Sequence, residues 1–254
     1  MKYRFSRILL FIGLISGMFF YIIQYNQANA QKYEFRNEKV DISKLSIIQN
    51  FDNLVLESQK KFDNTFDIKN DGSIQRYLSD DNPFKNTGYV PSDLQSINSH
   101  FTYNKASQFK LRSSAAIAFA DMAWGFWDHF DKKSKFYIAS AYRSFGSQKN
   151  LKNMGCKKTE CADPGSSEHQ AGLAIDISVA KNGNIVQMHT GSDFYKWMDE
   201  NAYKYGFHNT YQKGVDVDGK IAEHRHWRYL GVPFATYLHD NNLTIAEYFK
   251  SFKL

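Results

Sequence analysis

The segment Ser167-Glu168-His169-Gln170-Ala171-Gly172-Leu173-Ala174-Ile175-Asp176 carries an imidazole and a carboxylate, His169 and Asp176. Both groups bind first-row metal ions. Asp176 sits between Ile175 and Ile177 in an apolar run. In a strand, alternation turns the two isoleucines to the core and Asp176 to the opposite face. A carboxylate among apolar neighbours on a half-buried strand needs a partner. A metal ion is one such partner, and an arginine is the other common one.

A second segment, Glu223-His224-Arg225-His226-Trp227-Arg228-Tyr229, places Glu223 three residues before His226. At that spacing one side chain can bind a metal while the other reaches the water on it. Taken alone, such a pair reads as an ordinary solvated surface pair. Together the two segments supply two imidazoles, an aspartate and a free glutamate. Those are the ingredients of a three-ligand zinc site with an open position and a base. Such a site polarises a carbonyl and activates water near neutral pH.

These residues need a scaffold. Ser113 to Phe130 predicts a long helix, with Ala116, Ile117, Ala120, Ala123, Trp124 and Trp127 recurring at helical spacing as its core face. Phe136 to Ala139 reads as a strand ending in Ser140-Ala141-Tyr142-Arg143-Ser144. A Gly-rich, Cys-bearing loop leads to a second strand, Leu173 to Val179, and Asn182-Gly183 reads as a turn. Ser192 to Tyr205 is an amphipathic helix stopped by Gly206. A hairpin-like region with Asp218-Gly219 then leads to the His226 segment. Thr244 with Glu247 forms a capping box that opens the last helix. Helices and strands mix without regular βαβ alternation, so the expected class is α+β.

The chain has 254 residues, 43% of them hydrophobic, which suits one well-buried domain plus a tail. Its net charge is +6, with no basic run and no nucleic-acid motif. A mild positive balance suits an anionic surface such as a cell wall. Lys2, Arg4 and Arg7 precede an uncharged apolar run, Ile8 to Ile23, and Ala28-Asn29-Ala30 offers a cleavage site before Gln31. Residues 1–30 therefore read as a signal peptide, with an uncleaved N-terminal anchor as the competing reading. The apolar run would span only about 24 Å against a bilayer core of about 30 Å, which favours cleavage. Either way the rest of the chain is exported, facing the periplasm or the wall, with membrane contact only through that segment. Residues 31–81 form a polar extension with one helical candidate, Ile42 to Lys61, and the compact domain is expected over 82–254. Cys156 and Cys161 are the two cysteines, and in an exported chain they read as a short-loop disulfide. The alternatives are two free thiols or a zinc site, and no further ligands stand at fitting spacing. His100, His129, His189, His208 and His239 have no partner at ligand spacing.

The pattern Ser-x-His-x-x-Gly-x-Ala-x-Asp followed by Glu-x-x-His resembles that of the VanY-type D-alanyl-D-alanine carboxypeptidases, zinc peptidases of the hedgehog-like group. The likeness extends to Asn82-Pro83 through Leu94, Leu111 to Ala115, Ser140 to Ser144 with Gln148, Pro164 to His169, and His226 to Gly231. It implies a small mixed or antiparallel sheet flanked by helices. It implies Zn2+ on His169, Asp176 and His226, with Glu223 as general base. Arg143 would hold the scissile carbonyl or its developing oxyanion. Ser167 and Gln148 would line the pocket for the C-terminal residue. The implied activity is removal of C-terminal D-alanine from peptidoglycan stem peptides, with D,D or L,D specificity open. An endopeptidase and a non-catalytic zinc- or wall-binding module are the alternatives. Two positions depart from the family: Arg225 stands where a Trp is usual, and His224 where Pro or another non-basic residue is usual. Arg225 either meets an acidic group of the peptide stem or points to solvent.

Overall fold

The protein is described from a computed structural model covering residues 67–251. The expected leader (1–30) and most of the polar extension, with its helical candidate, lie outside the described residues. Among the described residues, no helix is long and apolar enough to cross a membrane. The compact unit runs from Lys69, earlier than Asn82, and Arg76 and Leu78 are already buried in it.

The elements in chain order are β1 (Leu94–Ser96), β2 (Lys110–Arg112), α1 (Ser113–His129), β3 (Ser134–Ser140) and α2 (Phe145–Asn153). Then come β4 (Ala174–Lys181), β5 (Asn184–Val186), α3 (Asp193–Asn201), β6 (Phe207–Asn209) and α4 (Val215–Asp218). β7 (His226–Tyr229), α5 (Val232–Asp240) and α6 (Ile245–Ser251) complete the series. A five-stranded sheet has the order β3-β4-β7-β6, with β5 pairing β4, and every pairing in it is antiparallel. β1 and β2 form a separate antiparallel pair.

Alternation divides the central strands as the sequence predicts. Ile175, Ile177 and Val179 of β4 join Phe136 and Ile138 of β3 and Trp227 of β7 in the core, packed against α1. Phe126 of α1 stacks on Phe136 at 4.1 Å between ring centroids and meets Trp197 edge-on at 5.2 Å. The buried stripe of α1 is Ala115, Ala116, Phe119, Met122, Ala123 and Phe126. It is rotated from the expected one: Ile117 and Trp124 are more than half exposed. The helix is apolar nearly all round, so periodicity alone did not single out its inner face.

The helix expected over Ser192 to Tyr205 divides into α3, capped by Ser192 Oγ accepting from Tyr195 N, and a 3₁₀ turn, Ala202–Tyr205. Gly206 ends it at φ 83°, and a Cβ there would meet Tyr229 and Gly231 at under 3 Å. The capping box of α6 forms in both directions: Thr244 N–H donates to Glu247 Oε2 and Glu247 N–H to Thr244 Oγ1. Two helices depart from the sequence reading. α2 occupies part of the expected loop, started by Ser144 Oγ accepting from Ser147 N. α5 follows Gly231, with Pro233 in its first turn.

Candidate active site

β4 and β7 pair so that Asp176 stands directly opposite His226. Ile175 and Trp227, the next pair, face the core, so Asp176 and His226 share the other face. His169 reaches the same point from the turn before β4. Gly172 makes that turn possible at φ 67°, where a Cβ would lie 2.8 Å from Leu94 and 3.1 Å from Arg112. Ligand atoms of His169, Asp176 and His226 all lie within 4.8 Å of one another.

The hydrogen bonds define which atoms face inward. His169 Nδ1–H donates to Ala141 O at 2.7 Å. Its Nε2 is buried without a hydrogen-bond partner, 3.2 Å from Asp176 Oδ1. A buried imidazole nitrogen of that kind is what a metal ion would satisfy. His226 Nδ1 lies 3.0 Å from Asp176 Oδ1, and its Nε2–H donates to Glu168 Oε2 at 2.8 Å. Nδ1 is thus the nitrogen of His226 that can serve as a ligand. The residues present fit a metal: two imidazole nitrogens and a carboxylate oxygen, with each ring oriented by a bond on its far side.

Behind His226 is a buried polar network. Glu168, 2% exposed, also accepts from Thr210 Oγ1 at 2.8 Å and pairs with Arg228 at 3.2 Å. Burial pushes the Glu168 carboxyl up, but Arg228, His226 and Thr210 outweigh it and hold it at about 2. Burial pushes the His226 imidazole down, yet its bonds to Asp176 and Glu168 win and carry it to about 10. Nδ1 therefore gives up a proton when it takes a metal ion. Asp176 is held well below the usual carboxylate range: burial raises it, but His169 and His226 prevail. Arg228 is fully buried and also donates to the carbonyls of Ile74 and Arg76 at 2.9 and 3.1 Å, clipping that segment to the sheet.

Arg143 follows β3 and stands just before the Ser144 cap of α2. Its backbone N–H donates to His169 O at 3.2 Å, and its Nη2 is 3.8 Å from Asp176 Oδ2. Burial lowers its pKa, while Asp176 and Glu223 oppose that fall. Glu223 comes from the turn before β7. Its backbone is pinned on both sides, its N–H donating to Tyr211 O and its carbonyl accepting from Asn209 Nδ2, both at 2.9 Å. Glu223 is outside the ligand cluster yet lines the same cavity as Arg143 and Asp176, about 490 Å3 in volume. That volume suits a small peptide end. Arg225 lines it too, and its Nη2 donates to Glu223 Oε1 at 2.9 Å. The Arg225 side chain turns to Glu223 and stays 40% exposed. His224 packs its ring on Tyr195 at 5.0 Å.

Ser167 and Gln148 are buried, and neither is among the residues lining the cavity. Gln148 Nε2 donates to Ala162 O at 2.7 Å, joining α2 to the loop before the motif. Cys156 and Cys161 form a disulfide, and both line the cavity. Their loop accepts from Ile221 N–H at Thr159 O, 2.8 Å, so it braces the segment leading to Glu223. Asp80 ties in the loop before His169, accepting from Asp163 N at 2.9 Å and Ser166 Oγ at 3.1 Å and pairing with buried Lys220 at 2.6 Å.

The sequence reading missed Glu168, Thr210 and Arg228. Arg228 was within reach, since two residues after His226 on a strand means the same face.

The family model described as VanY, D-alanyl-D-alanine carboxypeptidase, matches residues 108–232. YodJ of Bacillus subtilis, named as a putative carboxypeptidase, is 36% identical over 235 residues, covering 85% of this chain and 83% of that protein. The structure of the LdcB LD-carboxypeptidase, described as revealing peptidoglycan recognition, is 33% identical with a TM-score of 0.61, covering 71% of this chain and 87% of the other. A vancomycin-resistance D,D-pentapeptidase VanY, a point mutant in complex with Zn(II), shares the fold at 24% identity and a TM-score of 0.50, over 69% of this chain and 98% of its own. With the antiparallel sheet, its flanking helices and this cluster, these likenesses identify the chain as a peptidase of the VanY D-alanyl-D-alanine carboxypeptidase family, with the hedgehog-like fold.

Proposed function

We propose that the protein is a zinc-dependent carboxypeptidase that removes C-terminal D-alanine from peptidoglycan stem peptides outside the cytoplasmic membrane. The observation that carries this reading is the buried His169 Nε2, without a hydrogen-bond partner, facing Asp176 and His226 beside a cavity that also holds Glu223 and Arg143. Zn(II) in the VanY structure of the same fold supports the choice of ion.

His169 Nε2, Asp176 and His226 Nδ1 would hold a Zn2+ ion, which would supply Lewis acidity toward the scissile carbonyl and toward water. The chain's own residues do the rest. Glu223 takes the proton of the attacking water and passes it to the leaving amine. Arg143 sets a fixed positive charge against the oxygen of the scissile carbonyl as negative charge grows there. Ala141 O and Glu168 hold the two imidazole rings in place.

The test uses zinc-loaded protein lacking residues 1–30, beside its Glu223→Ala variant, on pentapeptide and tetrapeptide muropeptides with products read by mass. Loss of one D-alanine, absent in the variant while zinc content is kept, is the expected result. Loss from the pentapeptide reads as D,D cleavage and from the tetrapeptide as L,D cleavage. Zinc binding with no loss from either substrate sinks the carboxypeptidase reading.

A further inference from the structure

The sheet face that carries Asp176 continues past the ligand cluster. Alternation along β4 keeps Ser178 and Ala180 on that face. The register sets Tyr137 of β3 beside Ser178, and Lys135 of β3 and Ile185 of β5 on either side of Ala180. Residues 102–104 run along the outer edge of β3. Thr102 bridges Phe136, Tyr103 N–H donates to Phe136 O at 2.7 Å, and Asn104 bonds both the N–H and the carbonyl of Ile138. Thr102 is buried on the core side with Phe136, so Tyr103 turns to the face of Tyr137 and Asp176. The Tyr103 hydroxyl reaches Gly183 O, in the turn between β4 and β5, at 3.5 Å. Its ring therefore crosses the strands.

The result is an apolar shelf with a polar rim. Tyr103 is 53% and Ile185 43% exposed, while Ala180 between them is 4% exposed. Asn182 and Gly183, at φ 52° and 79°, make a two-residue turn closed by Lys181 and Asn184. The next pair, Ala180 with Ile185, is then of the non-hydrogen-bonded kind, so the Ile185 N–H and carbonyl point away from β4. Among the described residues β5 pairs with β4 alone, so that edge is open. The exposed amides of Asn182 and Asn184 stand at the same rim. A flat apolar ring beside free amide donors and acceptors matches a pyranose that has a C–H face, hydroxyls and an acetamido group. The shelf is continuous with the cavity, because Gln187, two residues beyond Ile185, lines it.

Distance favours a sugar over more peptide. Tyr137 pairs with Ser178, two residues from Asp176, and Ile185 pairs with Ala180, four residues away. At about 3.3 Å per residue the shelf lies about 7 to 13 Å along β4 from Asp176. In a stem cut at its last bond, three residues of a tetrapeptide or four of a pentapeptide separate the scissile carbonyl from the sugar. Extended, they span about 10 to 14 Å. A stem laid along this face runs out of peptide at the shelf.

We infer that Tyr103 and Ile185, with the open edge of β5, form a binding site for an N-acetylated hexosamine of the glycan that bears the stem peptide. The assignment rests on the stem-peptide reading above and adds the sugar as a second recognised group. The sugar acts on substrate affinity, since the shelf holds none of the ligand cluster.

Binding without turnover tests it. Zinc-loaded Glu223→Gln protein is titrated by calorimetry with tetrapeptide and pentapeptide stems, each free and each carried on its N-acetylated disaccharide. The sugar-bearing form of the preferred stem is expected to bind about 10-fold tighter than the free peptide. Tyr103→Ala in that background should reduce the advantage to within about twofold and leave the free peptide unchanged, while Tyr103→Phe keeps it. Ile185→Asn, which puts an amide in the apolar floor, should also reduce it. No advantage for the sugar-bearing form, an advantage that survives Tyr103→Ala, or an equal loss for both forms overturns the assignment. Hydrolysis by the otherwise unaltered enzyme separates the two readings. Stem cleavage without sugar dependence of binding removes the shelf alone. Sugar-dependent binding without cleavage removes the reaction and keeps the shelf as a glycan site.

Discussion

Glu168 Oε2 accepts a hydrogen bond from His226 Nε2 at 2.8 Å, on the side of the ring away from Asp176. This fixes the tautomer that leaves Nδ1 facing Asp176 and open to a metal ion, and it does so from a carboxylate that is itself held by Arg228 and Thr210. Loss of such an outer partner lowers metal affinity by about 10- to 100-fold in comparable sites. Glu168→Gln is expected to show that loss in a zinc competition titration against a chelator, with the fold intact by circular dichroism. Unchanged affinity would mean that the ring is oriented by packing alone.

Asp80 makes acid stability a readout of the loop before His169. Burial pushes its carboxyl up, but Lys220 and the Asp163 N–H outweigh that and hold it below its ordinary value. A depressed carboxyl contributes stability above its unfolded pKa and loses it as pH falls through the folded value. Asp80→Asn leaves Lys220 buried without its counter-charge, and breaking such a pair costs about 3 kcal/mol. Thermal melts should show the variant well below the parent at pH 7, with the gap closing as pH drops below about 4. A gap that stays constant down to about pH 2 would refute the ion pair as its cause.

Arg143 is expected to act on rate and not on metal retention. Arg143→Ala should lower kcat by about 10²- to 10³-fold, as removal of a preorganised charge at a developing oxyanion does. Zinc content, read by atomic emission, should stay at the parent level. A parallel fall in zinc content would make Arg143 a structural partner of Asp176 instead.

The disulfide contributes through a short loop, so its entropic share is about 2 kcal/mol. Cys156→Ser with Cys161→Ser should lower the melting temperature modestly. It should raise KM more than it lowers kcat, because the loop walls the cavity and meets Ile221 but supplies no member of the His169, Asp176 and His226 cluster. A fall in kcat with KM unchanged would place the effect on the base.

The clustering of His169, Asp176 and His226 was legible because chemistry and period coincide there. Asp176 between two isoleucines has one solution on a half-buried strand, and the register with β7 delivers it to His226. The Gly206 stop and the Thr244 cap were legible in kind because caps are local. What could not be read is what depends on side chains distant in sequence. Gln148 looks like a pocket residue by motif, and in the fold its Nε2 donates to Ala162 O while its side chain is buried away from the cavity lining. Glu168 finds Thr210 and Arg228 only once the sheet is assembled. α1 misled for a different reason: with apolar residues on nearly every side, the spacing pointed to Trp124, whereas in the fold Phe126 is the residue that stacks on Phe136 of β3.

The pairing of Asp176 with His226 across β4 and β7 places Ile175 opposite Trp227 one step away. A slip of one residue between these strands would exchange the faces, sending Trp227 into the cleft and His226 into the oily interior. The same register thus writes two messages in alternate letters, one for folding and one for chemistry. Neither can be revised by insertion or deletion in these strands without corrupting the other.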